Sequence, residues 1–283
     1  DGDLMEGVAQ EALSLAGQLG LGKLIILYDS NNITSDGQVG ISNKEDVKQK
    51  FESMGWEYLK VDEGNDLVWI SNAIDAAKLN KKKPSLIEVK TTIGYGSPNL
   101  QGTEKIHSNP VGEKEAKLIK ETLDWHYQEE FYIPEEVQQN FIQVKNKGIQ
   151  EEQNWNQLLE EYAKTYPNLG QELIDLINNN FNLDKEDFSY FEVSKMATRT
   201  ASGEVLNKIY KKSPILVGGS ADLASSNKTT INGLGFLSAG EYFSPNIHFG
   251  VREFAMASVC NGVLLHGGLR SYCGTFLVFS DYM

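Results

Sequence analysis

The apolar positions of the first 110 residues switch between two spacings. Met5, Val8, Ala12, Leu15, Ala16 and Leu19 recur at helical intervals, and Gly20 and Gly22 close that segment. An unbroken apolar run, Leu24-Ile25-Ile26-Leu27-Tyr28, comes next. The pattern predicts a helix over 5–19 and a buried strand over 23–29. It then repeats, with a helix near 45–54, a strand over 56–61, a helix over 66–80 and a strand over 85–91. Strands separated by single helices predict a parallel sheet in an α/β fold. Residues 93–110 form a long glycine-rich loop, and 112–185 read as polar helices interrupted by Pro134 and Pro167. A second α/β unit follows. It has a helix over 200–211, strands over 215–219 and 247–250, a helix over 252–265, and a further helix beginning as the chain reaches Met283.

Composition narrows the class. The 283 residues are 40% hydrophobic, and a mean hydropathy of −0.36 suits a soluble globular protein of one or two domains. No apolar run approaches the roughly 20 residues of a membrane span, and no signal peptide is expected. A net charge of −13 argues against a nucleic-acid partner, so an anionic substrate needs a local basic pocket. Cys260 and Cys273 have neither metal-site nor disulfide-framework spacing, and a reducing cytoplasm is the expected compartment.

Candidate chemistry gathers at the predicted strand ends. Magnesium takes about six hard oxygen ligands. The Asp1 carboxylate, the Asn31 amide oxygen and the Ile33 carbonyl would supply three, leaving room for two phosphate oxygens and a water. Asp1-Gly2 and Asn31-Asn32 equally suit two ordinary turns. The Asp-Gly turn at residue 1 has no strand ahead of it, so the chain is expected to begin inside a domain. In the long loop, Gly94, Gly96 and Gly102 allow close backbone approach to a phosphate and His107 can donate to one; a plain surface loop is the alternative. Gly218-Gly219-Ser220-Ala221-Asp222-Leu223 would set small polar groups at a sheet edge. Glu253 lies beside apolar Phe254 and Met256. It is either a helix-start partner of Arg252 or a buried carboxylate tuned for proton transfer. Phe276, Phe279 and Tyr282, at i, i+3 and i+6, form a stripe suited to a core or to stacking on a flat heterocycle.

In this order the motifs resemble the transketolase family of thiamine-diphosphate enzymes. The stretches that carry the resemblance are Asp-Gly-Asp-Leu-Met-Glu-Gly at 1–7, Tyr-Asp-Ser-Asn-Asn-Ile-Thr at 28–34, Gly-Tyr-Gly-Ser at 94–97 with His107, Gly-Gly-Ser-Ala-Asp-Leu at 218–223, Gly-Val-Arg-Glu-Phe-Ala-Met at 250–256 and His-Gly-Gly at 266–268. They cover the chain except the variable helices near 128–185, and match a middle portion of such an enzyme. Tyr272-Cys273-Gly274 departs from the family pattern. The resemblance implies two parallel-sheet thiamine-diphosphate-binding-type domains joined by a helical linker, both truncated. Residues 1–165 would be the later part of a diphosphate-binding domain with peripheral helices, 166–190 the linker, and 191–283 the first part of a pyrimidine-binding domain.

The implied activity moves a two-carbon ketol unit from a ketose phosphate to an aldose phosphate, in the pentose phosphate pathway. Its cofactors would be thiamine diphosphate and Mg2+, with Ca2+ or Mn2+ as alternatives. Residue by residue, Asp1, Asn31 and the carbonyl of Ile33 match metal ligands, and Gly2 matches a glycine packed on the diphosphate. His107 matches a histidine reaching both diphosphate and substrate, and Glu253 the catalytic glutamate facing the aminopyrimidine ring. Phe279 and Tyr282 match the aromatic walls around that ring. Arg199 and Ser226 match substrate-phosphate contacts. Glu6 and Glu11 match acidic residues linking two active sites across a homodimer interface. Deoxyxylulose-phosphate synthase and dihydroxyacetone synthase share the cofactor and remain alternatives, as does a transketolase-like binding subunit without turnover.

Overall fold

The computed structural model describes residues 1–180 and 195–283. After a 3₁₀ turn at Gly2–Met5 the chain forms α1 (Gly7–Gln18), β1 (Ile25–Ser30) and a small hairpin of β2 (Ile33–Thr34) and β3 (Gly37–Gln38). Then come α2 (Val47–Ser53), β4 (Glu57–Val61), α3 (Leu67–Leu79) and β5 (Ser85–Lys90). The parallel order is β1-β5-β4, with Ser85 opposite both Ile25 and Glu57. β5 is buried over its first five residues because it is central and covered on both faces. Asp46 and Asp66 fix the helix starts by accepting from Gln49 N (2.9 Å) and Val68 N (2.8 Å). The fully buried Trp56 locks α1 onto the sheet through a 2.9 Å bond from its indole nitrogen to the Leu13 carbonyl.

The polar stretch is indeed helical: α4 (Gly112–Thr122), α5 (Glu135–Thr165) and α6 (Pro167–Ile177). α5 buries none of its 31 residues, and α6 folds back onto it after Tyr166. The expected linker at 166–190 thus opens with a packed helix, and its residues 181–190 lie outside the described residues.

The second unit has α7 (Thr198–Lys212), β6 (Leu216–Ser220), α8 (Ala224–Asn227), β7 (Asn246–His248), α9 (Glu253–His266) and β8 (Arg270–Gly274). Its parallel order is β7-β6-β8. The chain reaches its end in a 3₁₀ turn, Leu277–Tyr282, where sequence periodicity suggests a helix. β8 is absent from the periodicity because Arg-Ser-Tyr-Cys-Gly has neither alternation nor an apolar run; pairing with β6 imposes it. That strand brings Cys273 beside Cys260 of α9, and both are free thiols. The mutual influence of the two thiols lowers the pKa of Cys260 to about 7 and raises that of Cys273.

The glycine pair in β6 is demanded by its neighbours. A Cβ on Gly218 would lie 1.9 Å from the Tyr272 carbonyl oxygen, and one on Gly219 1.9 Å from that of Ile247. Backbone on both sides leaves nothing flexible to yield. Gly219→Ala is therefore expected to cost about 3 kcal/mol, the upper end of ordinary overpacking. Chemical denaturation checks this, and an unchanged midpoint would disprove so close an approach.

α1 belongs to both units. Its Leu13 and Ala16 pack with Tyr28, Phe51, Trp56 and Leu86. Its Leu15 packs with Ala221, Ile247, Phe249, Met256 and Cys260 of the second unit. Tyr242 OH adds bonds to the carbonyls of Leu19 (2.9 Å) and Gly20 (2.8 Å).

Candidate active site

The end of β1 brings Asp1, Asn31 and Ile33 together. Asp1 Oδ2 accepts from the backbone nitrogens of Asn31 (3.0 Å) and Asn32 (2.8 Å), and Tyr28 OH donates to Oδ1. Asn31 Oδ1 accepts from Ile33 N at 3.0 Å. Asn32 turns the chain with φ of 64°, a left-handed conformation that asparagine tolerates well. Gly2 faces the hairpin, with the Thr34 methyl 3.9 Å from where a Cβ would stand. A carboxylate oxygen has two lone pairs, and Asp1 Oδ1 accepts one bond here, so one pair is open to a cation. Among the described residues no cluster of three or more His, Cys, Asp and Glu could hold a metal. The donor set is one carboxylate with neutral oxygens, which fits a hard ion such as magnesium or calcium and not zinc.

Beneath Asp1 lies a network that no motif announces. Glu88, buried in the central strand, accepts from Ser30 Oγ (2.8 Å) and Tyr58 OH and pairs with Lys90 (2.6 Å). Burial pushes its pKa up, but the bonds from Lys90, Tyr58 and Ser30 outweigh burial and hold it below the ordinary range. Burial, then the bond to Glu88, pushes Tyr58 up. These residues and Asp1 line a cavity of about 330 Å³. The signal in the sequence is two charges, Glu88 and Lys90, within the otherwise apolar run of a central strand.

The glycine-rich loop folds back toward the same strand end. Gly94 and Gly96 have φ of 66° and 88°, and Cβ atoms there would meet Ile106 at 2.4 Å and Leu123 at 2.9 Å. The loop delivers an exposed His107, whose Nδ1 is 3.3 Å from Ser35 Oγ in the hairpin turn after Ile33.

A second cavity, of about 470 Å³, lies between α1 and the second unit. Glu253, Glu11, Asp222, Val251, Phe279 and Tyr282 line it. Glu253 is the first residue of α9 and only 8% exposed, and no hydrogen bond reaches its carboxylate among the described residues. Glu11 Oε2 accepts from Ala255 N (2.9 Å), capping the same helix start, and Arg252 donates to Ser14 Oγ (3.1 Å) and the Phe249 carbonyl (2.9 Å). Glu6 stands exposed at the cap of α1, outside this cavity. Phe276 and Phe279 stack with centroids 6.4 Å apart and stay partly exposed, so the stripe is not core. Asp222, with φ of 60°, reaches the cavity wall; its motif is visible in the sequence, its left-handed backbone is not.

Arg199 and Ser226 are less closely joined. Their helices, α7 and α8, pack together around a cavity of about 530 Å³ lined by Thr200, Lys208, Lys211, Ser225 and Lys228. Arg199 and Ser226 each adjoin a lining residue, but neither lines that cavity.

Residues 1–182 match the family model described as transketolase, thiamine diphosphate binding domain, and residues 194–283 the one described as transketolase, pyrimidine binding domain. The chain belongs to the transketolase family. It is 52% identical to the transketolase of Bacillus subtilis and 50% to that of Geobacillus stearothermophilus. All of this chain aligns in both cases, and it spans 43% of those relatives' length. Among solved structures, transketolase from Leishmania mexicana superposes with a TM-score of 0.94 at 38% identity, covering all of this chain and 42% of that one. A Pichia stipitis transketolase complexed with sedoheptulose 7-phosphate gives 0.94 at 37% identity, covering 43% of that chain. The α/β architecture with two parallel sheets is thus the one the transketolase motifs imply. Among the described residues no helix is long and apolar enough to cross a membrane.

Proposed function

We propose that the complete protein is a transketolase that moves a two-carbon ketol unit from a ketose phosphate to an aldose phosphate, serving the pentose phosphate pathway in the cytoplasm. The observation that carries this reading is the meeting of Asp1, Asn31 and Ile33 at the end of β1, in a chain whose two halves match diphosphate- and pyrimidine-binding domains. When bound, thiamine diphosphate supplies the electron sink for breaking and making the carbon–carbon bond.

The chain's own residues do the rest. Asp1, Asn31 and the Ile33 carbonyl hold Mg2+ (or Ca2+ or Mn2+) against the diphosphate, and Gly2 leaves room beside it. His107 donates to the diphosphate and to substrate oxygens. Glu253 keeps a proton at the pyrimidine ring nitrogen, in a wall closed by Phe279 and Tyr282. The metal-side cavity and the Glu253 cavity share no lining residue, which supports a composite site completed by a second subunit of a homodimer. Glu11, and Glu6 before it, carry the link between the two sites. Ketol transfer by the complete protein, dependent on both thiamine diphosphate and a divalent cation, tests the reading; no transfer with any ketose phosphate would refute it.

Arg199 and Ser226 bind the substrate phosphate, the Arg fork matching two phosphate oxygens. A lost charge-assisted hydrogen bond costs roughly 1.5–3 kcal/mol, so Arg199→Ala should raise KM for phosphorylated donors about ten- to a hundredfold. KM for an unphosphorylated ketose should hardly change. Parallel losses for both would remove the assignment.

A further inference from the structure

Helix α4 buries one side chain, and it is a carboxylate. Glu115 is 8% exposed while its charged neighbours Glu113, Lys114 and Lys117 face solvent. No ion pair to it is seen among the described residues, yet a buried carboxylate needs compensation. Every donor it finds comes from one loop. Ser97 Oγ and Asn99 N (3.0 Å) donate to Oε1, and Asn99 Nδ2 (2.9 Å) donates to Oε2. Ser97 is itself fully buried, and its hydroxyl accepts from Leu100 N at 3.2 Å. The bonds from Ser97 and then Asn99 hold the Glu115 carboxyl below the ordinary range, so it stays an acceptor at neutral pH.

Backbone bonds hold the loop together around that anchor. Ser97 N bonds to the Gly94 carbonyl (3.0 Å), Gly102 N to that of Ile93 (2.8 Å), and His107 N to that of Glu104 (3.0 Å). Ile106 and Leu123 fill the space over Gly94 and Gly96. His107 is thereby held at the hairpin beside the Asp1–Asn31–Ile33 cluster without any direct bond from α4.

We infer that Glu115 is a positioning residue: by clamping Ser97 and Asn99 it fixes the loop that presents His107 to the diphosphate. The inference rests on the role of His107 proposed above. The test is a double-mutant cycle in the complete protein, reading the thiamine diphosphate dissociation constant by calorimetry at saturating Mg2+. Glu115→Ala should weaken binding about tenfold with His107 present and less than about twofold in the His107→Ala background. Ser97→Ala, which removes a single clamp bond, should show the same coupling at smaller size and replaces Glu115→Ala if that variant does not fold. Equal losses in both backgrounds, or no loss in either variant, would overturn the inference, because a merely structural Glu115 weakens both alike. If His107→Ala alone leaves binding unchanged, the role of His107 falls instead.

Discussion

Glu253→Gln is expected to cut turnover of the complete enzyme by about 10²–10⁴-fold, the usual worth of a positioned acid–base group. Stability should hardly move. Glutamine keeps the shape, and a carboxylate at a helix start is worth only about 0.3–1 kcal/mol through the dipole. The geometry sets these two magnitudes apart. Glu253 is buried at the first position of α9, its carboxylate has no hydrogen-bond partner among the described residues, and it faces a cavity walled by Phe279 and Tyr282. The backbone nitrogen of Ala255 is already served by Glu11, so Glu253 is not needed as the cap there. Isotope exchange at the thiazolium carbon, with cofactor bound, is the discriminating measurement. Exchange at the parent rate in the Gln variant would show that Glu253 does not hold the activating proton.

Asp1→Ala is expected to remove metal-dependent cofactor binding. Groups that only hydrogen-bond to a metal's ligands are typically worth 10–100-fold in metal affinity, so losing a ligand itself should cost about a hundredfold or more. The same carboxylate also ties two backbone nitrogens and Tyr28, and a purely structural role would predict a stability loss alone. The two readings separate in a Mg2+ titration followed by thermal unfolding with thiamine diphosphate present. The parent protein should be stabilised as the metal rises, and the variant should show a flat response. A metal-dependent rise of equal size in the variant would count against Asp1 as a ligand. Asn31→Ala provides a milder companion, since its amide oxygen is neutral.

The apolar spacing was enough to place α1, β1, α2, β4, α3 and β5 to within a residue or two, whereas the short hairpin of β2 and β3 gave no such signal. Burial of one face, and of both faces in β5, imposes a period that the residues themselves carry. It also marked the strand ends where the candidate residues lie, although glycines and short polar residues there suit ordinary turns as well. Where no period exists, the sequence was silent. β8 is a strand because β6 offers it a ladder, and Tyr272 and Cys273 take their places by pairing opposite Gly218 and Gly219. The last segment does carry a period, Phe276, Phe279 and Tyr282 at every third residue, and three residues per turn is the repeat of the 3₁₀ helix that forms there.

The sequence by itself therefore determined which candidate residues the chain carries: an acidic residue before a glycine, a histidine in a glycine-rich loop, and a glutamate at a helix start. Tertiary structure alone decided how those parts are held. Tyr28 reaches Asp1 across 27 positions, and Ser30 and Tyr58 meet Glu88 from 58 and 30 positions away. Glu11 caps a helix 244 residues further on, and Glu115 fixes a loop from a helix outside it. Hydrogen bonds between distant segments leave no periodic trace. Each partner is an ordinary polar residue until the sheet and helices bring the two within about 3 Å.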